Sequence, residues 1–270
     1  MKDQHNEKSP VVVGIDGSDT AISAALWAID EAFSRNVPLR LLFVIRSAGL
    51  SANEYSEVVN YAKASLRAAT AAVQSGGKPV TVNTAIVEGP PGAALVDESE
   101  RATMVCVGTV GIGGYARSIL GSTAAELAEQ AHCPVAVIRP HGNESTQHVS
   151  WIIVAANGKP EQAAVIEFAM QEATLRRSPV LLLGNTSTTL TASSNGLDSE
   201  IQQWQRRYPE LHIYPITDRA DVARFVKHHD EPVELAVIGA SDAGELAEIV
   251  GSHHRRPLHH IVSSALVVRQ

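Results

Sequence analysis

The chain lacks any apolar run approaching the ~20 residues that a membrane helix needs, and it carries no block of lysine or arginine. The first absence excludes a helical membrane protein. The second, with a formal net charge of -7, argues against a nucleic-acid or anionic-membrane surface, so any bound anion must be held by local groups. Only two cysteines are present, Cys106 and Cys133, 27 positions apart and each flanked by apolar residues. That spacing fits no CxxC pair, and the two read as buried strand thiols without redox or metal chemistry. Met1 to Pro10 is polar and mixed in charge, with neither an apolar core nor a small-residue cleavage site, which makes the cytoplasm the expected address. What is abundant is hydrophobic sequence, 44% of 270 residues. This is enough for one large α/β core or two cores of about 130 residues each.

Val11 to Ile15 is a β-branched run that stops at Asp16, Gly17 and Ser18, as a buried strand does at a turn. Ser18 or Asp19 can cap a helix whose apolar positions Ile22, Leu26, Ile29 and Phe33 repeat at the helical period, and Asn36 and Pro38 end it. Further strands are predicted at Leu39 to Ile45, Val80 to Val87, Thr103 to Val107 and Val135 to Arg139. Helices are predicted between them: Asn53 to Gln74, a short one opened by Pro91 and running to Arg101, and Ser122 to His132 with Thr123 and Glu126 in capping-box spacing. Strands alternating with helices imply a parallel sheet covered on both faces.

A polar, aperiodic stretch from Pro140 to Val149 reads as a linker, after which the pattern restarts. Trp151 to Gly158 repeats the first strand and turn at an offset of 141, and Phe168 to Ala173 answers Trp27 to Ala32. Strands two to five recur at Val180 to Leu183, His212 to Ile216, Leu235 to Gly239 and Ala265 to Val268. This is a tandem duplication, placed at residues 1–145 and 146–270. The Ser, Thr, Asn and Gly-rich stretch Asn185 to Gly196 is expected to replace the second helix of the repeat with a mobile segment.

Strand four of the first module ends in Gly108, Thr109, Val110 and Gly111, and nine residues later Gly121 and Ser122 open the next helix. Gly108 and Gly111 have no side chain to keep an anion from backbone N–H groups, while Gly121 and Ser122 offer N–H groups and a hydroxyl at a helix N-terminus. Such a loop suits a polyphosphate, although glycine spacing alone also fits an empty surface loop. In an open parallel sheet, ligands bind beyond the carboxyl ends of the strands. Asp16, Val44 and Val87 stand at those ends: Asp16 as a ribose acceptor or a simple turn aspartate, the two valines as an adenine sandwich or ordinary core.

These residues resemble the universal stress protein family, through Val11 to Ser18, Leu41 to Ile45, Val87 to Pro90, and above all Gly108 to Ser122 followed by Ala131 to Val135. The resemblance covers nearly the whole chain as two consecutive modules. It implies two tandem, open, five-stranded parallel α/β sheets of Rossmann-like type, with ATP and Mg2+ as cofactor in the first. Gly14, Asp16, Val44, Val87, Gly108, Gly111, Gly121, Ser122 and Thr123 form the candidate binding set. It further implies an intramolecular pseudo-dimer of modules through the fifth strands, a possible homodimer, an unidentified regulatory protein partner, and a role in the stress response.

No catalytic apparatus is legible. A Walker loop needs a lysine after its glycine, where this loop has Gly113, Gly114 and Tyr115, so hydrolysis is expected to be slow or absent. Arg117 and Ser118 are weaker candidates for phosphate contact. Gly111, Gly113 and Ala116 make a partial dinucleotide fingerprint, which keeps an NADP-dependent oxidoreductase as the alternative, with Arg139 toward a 2'-phosphate; a ligand-free interaction module is the third reading. His228, His229, His253, His254, His259 and His260 lack the spacing of a tetrahedral metal site. In the second module Asn157 replaces Asp16, Lys159 replaces Ser18, Asp242 replaces Gly111, and the loop is one residue shorter; that module is expected to hold no nucleotide.

Overall fold

The computed structural model describes residues 8–111, 120–140, 150–185, 194–229, 231–251 and 263–269. Contacts divide the chain into two compact units, Met1–Pro140 and His141–Gln270. The first unit runs β1 (Val11–Ile15), α1 (Asp19–Arg35), β2 (Leu39–Ile45), α2 (Ala52–Ser75), β3 (Val82–Glu88), α3 (Pro91–Ser99), β4 (Met104–Gly108), α4 (Ser122–Gln130) and β5 (Val135–Ile138). Its sheet is parallel throughout, in the order β3-β2-β1-β4-β5, with Val11 beside both Leu39 and Met104. The order reverses between β1 and β4, and the carboxyl ends of these strands open there into a crevice.

The central strands are apolar because both faces are covered: Val11, Val12, Val13, Leu41, Leu42, Val105 and Cys106 are fully buried. Cys133 is buried as well, as the apolar surroundings of both cysteines predict. Ser18 is the N-cap of α1, its hydroxyl accepting from Ala21 N at 3.2 Å, and Asn36 ends the helix in the left-handed conformation. The buried face of α1 is not the predicted one. Ala21, Ala24, Ala25, Ala28, Ile29 and Ala32 face the sheet, whereas Leu26 and Phe33 are exposed. The alanines also repeat at the helical period, and only side chains this small let a helix sit close on a sheet.

Glu31 lies on the same buried face and forms an ion pair with Arg35 at 2.8 Å. The second unit reproduces this at Glu172 and Arg176, 3.0 Å apart, the same offset of 141 that relates the strands. Its elements are β6 (Trp151–Ala156), α5 (Gln162–Arg176), β7 (Val180–Asn185), α6 (Ser194–Arg207), β8 (Ile213–Asp218), α7 (Val222–His228), β9 (Val233–Gly239), a 3-10 turn (Ala240–Glu245), α8 (Leu246–Ile249) and β10 (Ser264–Val268). The order is again two, one, four from the middle: β8-β7-β6-β9-β10, all parallel. The predicted loss of the second helix is corrected by α6, fourteen residues long, which starts inside the polar stretch at Ser194. Residues 186–193 of that stretch lie outside the described residues. Among the described residues, no helix is long and apolar enough to cross a membrane.

Candidate functional site

A cleft of about 590 Å³ opens over the carboxyl ends of β2, β1 and β4. Eight of the nine candidate residues line it: Gly14, Asp16, Val44, Gly108, Gly111, Gly121, Ser122 and Thr123. Val87 does not. It pairs in register with Val44 but stands one strand further out on β3, beyond the reach of the cleft. Leu42, Leu95 and Val107 supply apolar walls instead. They escaped notice in the sequence because they read as ordinary strand and helix core.

Of the two roles its sequence context left open, Asp16 takes that of the turn aspartate in the described residues. Its Oδ1 accepts from Ser18 N at 2.9 Å and from Ser18 Oγ at 2.6 Å, which closes the β1–α1 turn. Gly17 turns at φ +91, and a side chain there would stand 2.2 Å from the Tyr61 hydroxyl, which itself donates to the Asp16 carbonyl oxygen at 3.3 Å. Asp16 Oδ2 faces the other way, toward Gly111, so that a Cβ on Gly111 would lie 2.4 Å from it.

The glycines serve different ends. A Cβ on Gly108 would meet Thr20 Oγ1 at 2.5 Å and the Thr20 backbone carbon at 2.8 Å. Gly108 is therefore small to admit the first turn of α1, where Thr20 donates to the Val110 carbonyl oxygen and ties that turn to the loop. Gly121 N donates to the Thr109 carbonyl oxygen at 2.7 Å, pinching the loop at its neck, and a Cβ on Gly121 would crowd that oxygen at 3.3 Å. Residues 112–119, with Gly113, Gly114, Tyr115, Ala116, Arg117 and Ser118, lie outside the described residues.

Gly121 is also the N-cap of α4, and no side chain caps this helix. The predicted capping box fails because Thr123 sits inside the first turn, while Glu126 reaches across to α3, within 1.8 Å of where a Cβ on Gly92 would stand. The first turn of α4, Ser122, Thr123 and Ala124, consequently presents its N–H groups to the cleft they line, at the positive end of the helix dipole. Arg46, exposed just past β2, adds the formal positive charge among the described lining residues. No sequence signal marked it beyond its place at a strand end. Arg139, the candidate partner for a 2'-phosphate, is not among the lining residues; burial pushes its pKa down.

The comparisons with known proteins now bear on this geometry. A family model described as the universal stress protein family matches residues 9–139. Universal stress protein Rv2624c of Mycobacterium tuberculosis is 48% identical over 261 residues, covering 96% of each chain, and universal stress protein Rv2028c of the same organism is 34% identical over 284 residues, covering 100% of this chain and 99% of that one. The chain belongs to the universal stress protein family. A universal stress protein structure from Archaeoglobus fulgidus superposes with a TM-score of 0.72 at 12% identity, covering 97% and 96% of the two chains, and supports the fold alone. A functionally unknown protein from Pseudomonas aeruginosa does the same at 0.58 and 16%, covering 97% and 92%.

The second unit has the same strand order, but the corresponding cleft shrinks to about 10 Å³. Among the described residues, four substitutions fall at this cleft. Asn157 stands for Asp16, Lys159 for Ser18, Glu161 for Thr20 and Asp242 for Gly111. The newcomers bind one another: Lys159 forms an ion pair with Asp242 and donates to Ser241 Oγ at 3.0 Å, Ser241 donates to Glu161, and Asn157 Nδ2 lies 3.5 Å from Asp242. Hydrogen bonding to Asp242 holds the Lys159 ammonium above its ordinary pKa. The backbone after β9 coils at once into the 3-10 turn and α8, and residues 252–262, which follow them, lie outside the described residues. His253, His254, His259 and His260 lie outside the described residues, and no cluster of three or more potential metal ligands occurs among those described.

Proposed function

We propose that this chain is a nucleotide-binding stress-response regulator that holds one ATP in the cleft of its first unit. The observation that carries this reading is the combination, in one cleft of about 590 Å³, of an uncapped helix N-terminus, a side-chain-free approach at Gly111, and a carboxylate, Asp16. That volume falls within the ~300 to 1,000 Å³ range of small-molecule sites. The polyphosphate lies against the N–H groups of Ser122, Thr123 and Ala124, where backbone donors and the helix dipole act together. Asp16 Oδ2 accepts a ribose hydroxyl, and Val44 with the apolar walls of Leu42 and Leu95 receives the base. Mg2+ fits as an ion carried in on the phosphates, since this cation keeps most of its water and takes one or two carboxylates. Turnover is expected to be slow: no lysine for the γ-phosphate is among the described lining residues, and the carboxylate there, Asp16, is engaged in the turn through Oδ1 and with the ribose through Oδ2 in this reading.

The second unit is occupied by its own side chains, and its Asp242 stands where the first unit admits phosphate. Acid extraction of the purified protein, with identification of the released nucleotide, tests the reading together with calorimetry of the stripped protein. ATP released, or bound with Asp16 and Gly111 dependence, supports it. Release of NADP points to an oxidoreductase, and absence of both release and rebinding points to a ligand-free interaction module.

A further inference from the structure

β3 is an edge strand, and apart from Glu88 at its end it carries no residue of the kind by which such edges are usually blunted. Val82–Glu88 contains no proline, lysine or glycine and keeps unbroken register with β2 over seven residues. The edge strand of the second unit, β8, by contrast carries Pro215 in its middle. Leu39 N donates to the Thr81 carbonyl oxygen and Gly89 N to the Ile45 carbonyl oxygen, both at 2.9 Å. In a parallel ladder alternate residues bond to the same neighbour, so the odd-numbered residues of β3 face β2. Val82, Thr84, Ile86 and Glu88 therefore turn their N–H and carbonyl groups to the open side, where no strand pairs with them among the described residues.

A groove of about 650 Å³ runs along this edge, between β3 and α2. Leu66, Val82 and Ile86 give it apolar surface, while Lys63 and Arg67, one helical turn apart on α2, stand over it. Both cations are exposed and neither has an ion-pair partner among the described residues; no acidic residue lines the groove. In a chain of net charge -7 this is a local reversal of sign.

We infer that the β3 edge is a docking site for an extended acidic peptide segment of a partner protein, added as a further strand beside β3. The alternation of donors and acceptors along the edge matches a polypeptide backbone, whereas a phosphodiester chain satisfies only the donors. A second copy of this chain is disfavoured, because an antiparallel pairing of two β3 edges brings two Lys63 and Arg67 pairs together. The apolar floor and cationic rim select acidic side chains on the face of the added strand that looks toward α2.

The test uses the full chain and two fluorescein-labelled peptides, one of about six Thr-Glu repeats and one of about six Thr-Lys repeats, read by anisotropy. The Thr-Glu peptide is expected to bind saturably and at least about tenfold more tightly than the Thr-Lys peptide, with affinity falling as salt is raised through the range that screens exposed charges. Thr84→Pro removes one outward N–H without touching the β2 ladder, and is expected to abolish binding while leaving the thermal midpoint nearly unchanged. Lys63→Glu with Arg67→Glu keeps the backbone edge intact and is expected to reverse the preference. Equal binding of the two peptides, or an unchanged preference in the charge-reversed variant, overturns the proposal. So does concentration-dependent self-association of the chain that Thr84→Pro abolishes, since the occupant is then a second copy.

Discussion

Gly108 and Gly111 look alike in the sequence, and the space around them separates their roles. A methyl on Gly111 points at Asp16 Oδ2, the edge of the proposed ligand site, while a methyl on Gly108 is driven into the Thr20 backbone. Gly111→Ala is therefore expected to weaken ATP binding by at least about tenfold, or ~1.4 kcal/mol, with a near-normal thermal midpoint. Gly108→Ala is expected to cost stability of about 1 to 3 kcal/mol as well, the usual range for overpacking against a rigid neighbour. Calorimetric binding and melting curves on the pair distinguish these outcomes; equal melting points in the two variants would contradict the packing role given to Gly108. Asp16→Ala removes the turn acceptor and, in the proposed site, the ribose acceptor. Its loss of affinity is expected to be several-fold larger for ATP than for inorganic triphosphate, and equal losses would move Asp16 out of the nucleoside end of the site.

Among the elements, α4 forgoes the side-chain N-cap bond that α1, α2 and α7 make. A Ser, Thr, Asp or Asn at an N-cap is worth only a few tenths of a kcal/mol over glycine, but glycine leaves the first N–H groups without a side-chain acceptor where they line the cleft. Gly121→Asp offers α4 a cap and at the same time puts a carboxylate where the phosphates are to lie. Two charges ~4 Å apart at an effective dielectric near 20 repel by about 4 kcal/mol. The unliganded variant is therefore expected to melt within about 1 kcal/mol of the parent, the cap offsetting the crowding against the Thr109 oxygen, while its stabilisation by added ATP vanishes. A variant that melts normally and is still stabilised by ATP would show that the helix end is not the phosphate site.

At the scale of the whole molecule, the duplication has produced two units with one topology and unequal clefts, about 590 Å³ against about 10 Å³. Among the described residues, the difference lies in a few side chains at the ends of β6 and β9. Lys159 neutralises Asp242 but also fills the space, so relief of the repulsion does not reopen the site. Equilibrium dialysis with labelled ATP is expected to saturate near one per chain and to fall to near zero in Gly121→Asp. Saturation near two, lowered to one by that substitution, would mean that the second cleft opens in solution despite its internal ion pair.

The order of elements, the duplication and the glycine loop were legible in the sequence because each is a local pattern: β-branched runs between turn residues, a repeat at a fixed offset, and glycine at defined spacing. The turn duty of Asp16 and the candidate cleft residues at strand ends followed from the same local chemistry and a general property of parallel sheets. What needed tertiary structure was everything set by distance across the chain. Leu26 and Phe33 carry the helical period of a core face, but the sheet accepts the alanine face of α1, since its close approach leaves no room for larger side chains. Val87 shares a strand-end position with Val44, yet the cleft ends at β2, one strand short of it. Glu126 has capping-box spacing from Thr123 and packs instead against Gly92, a neighbour 34 positions away. Arg46 became a lining residue only through the fold, and Lys159 and Asp242, 83 positions apart, became a plug only when the strand ends of the second unit brought them into contact. Period and spacing specify which elements form; which of their faces meet depends on the volumes of side chains that are distant in sequence.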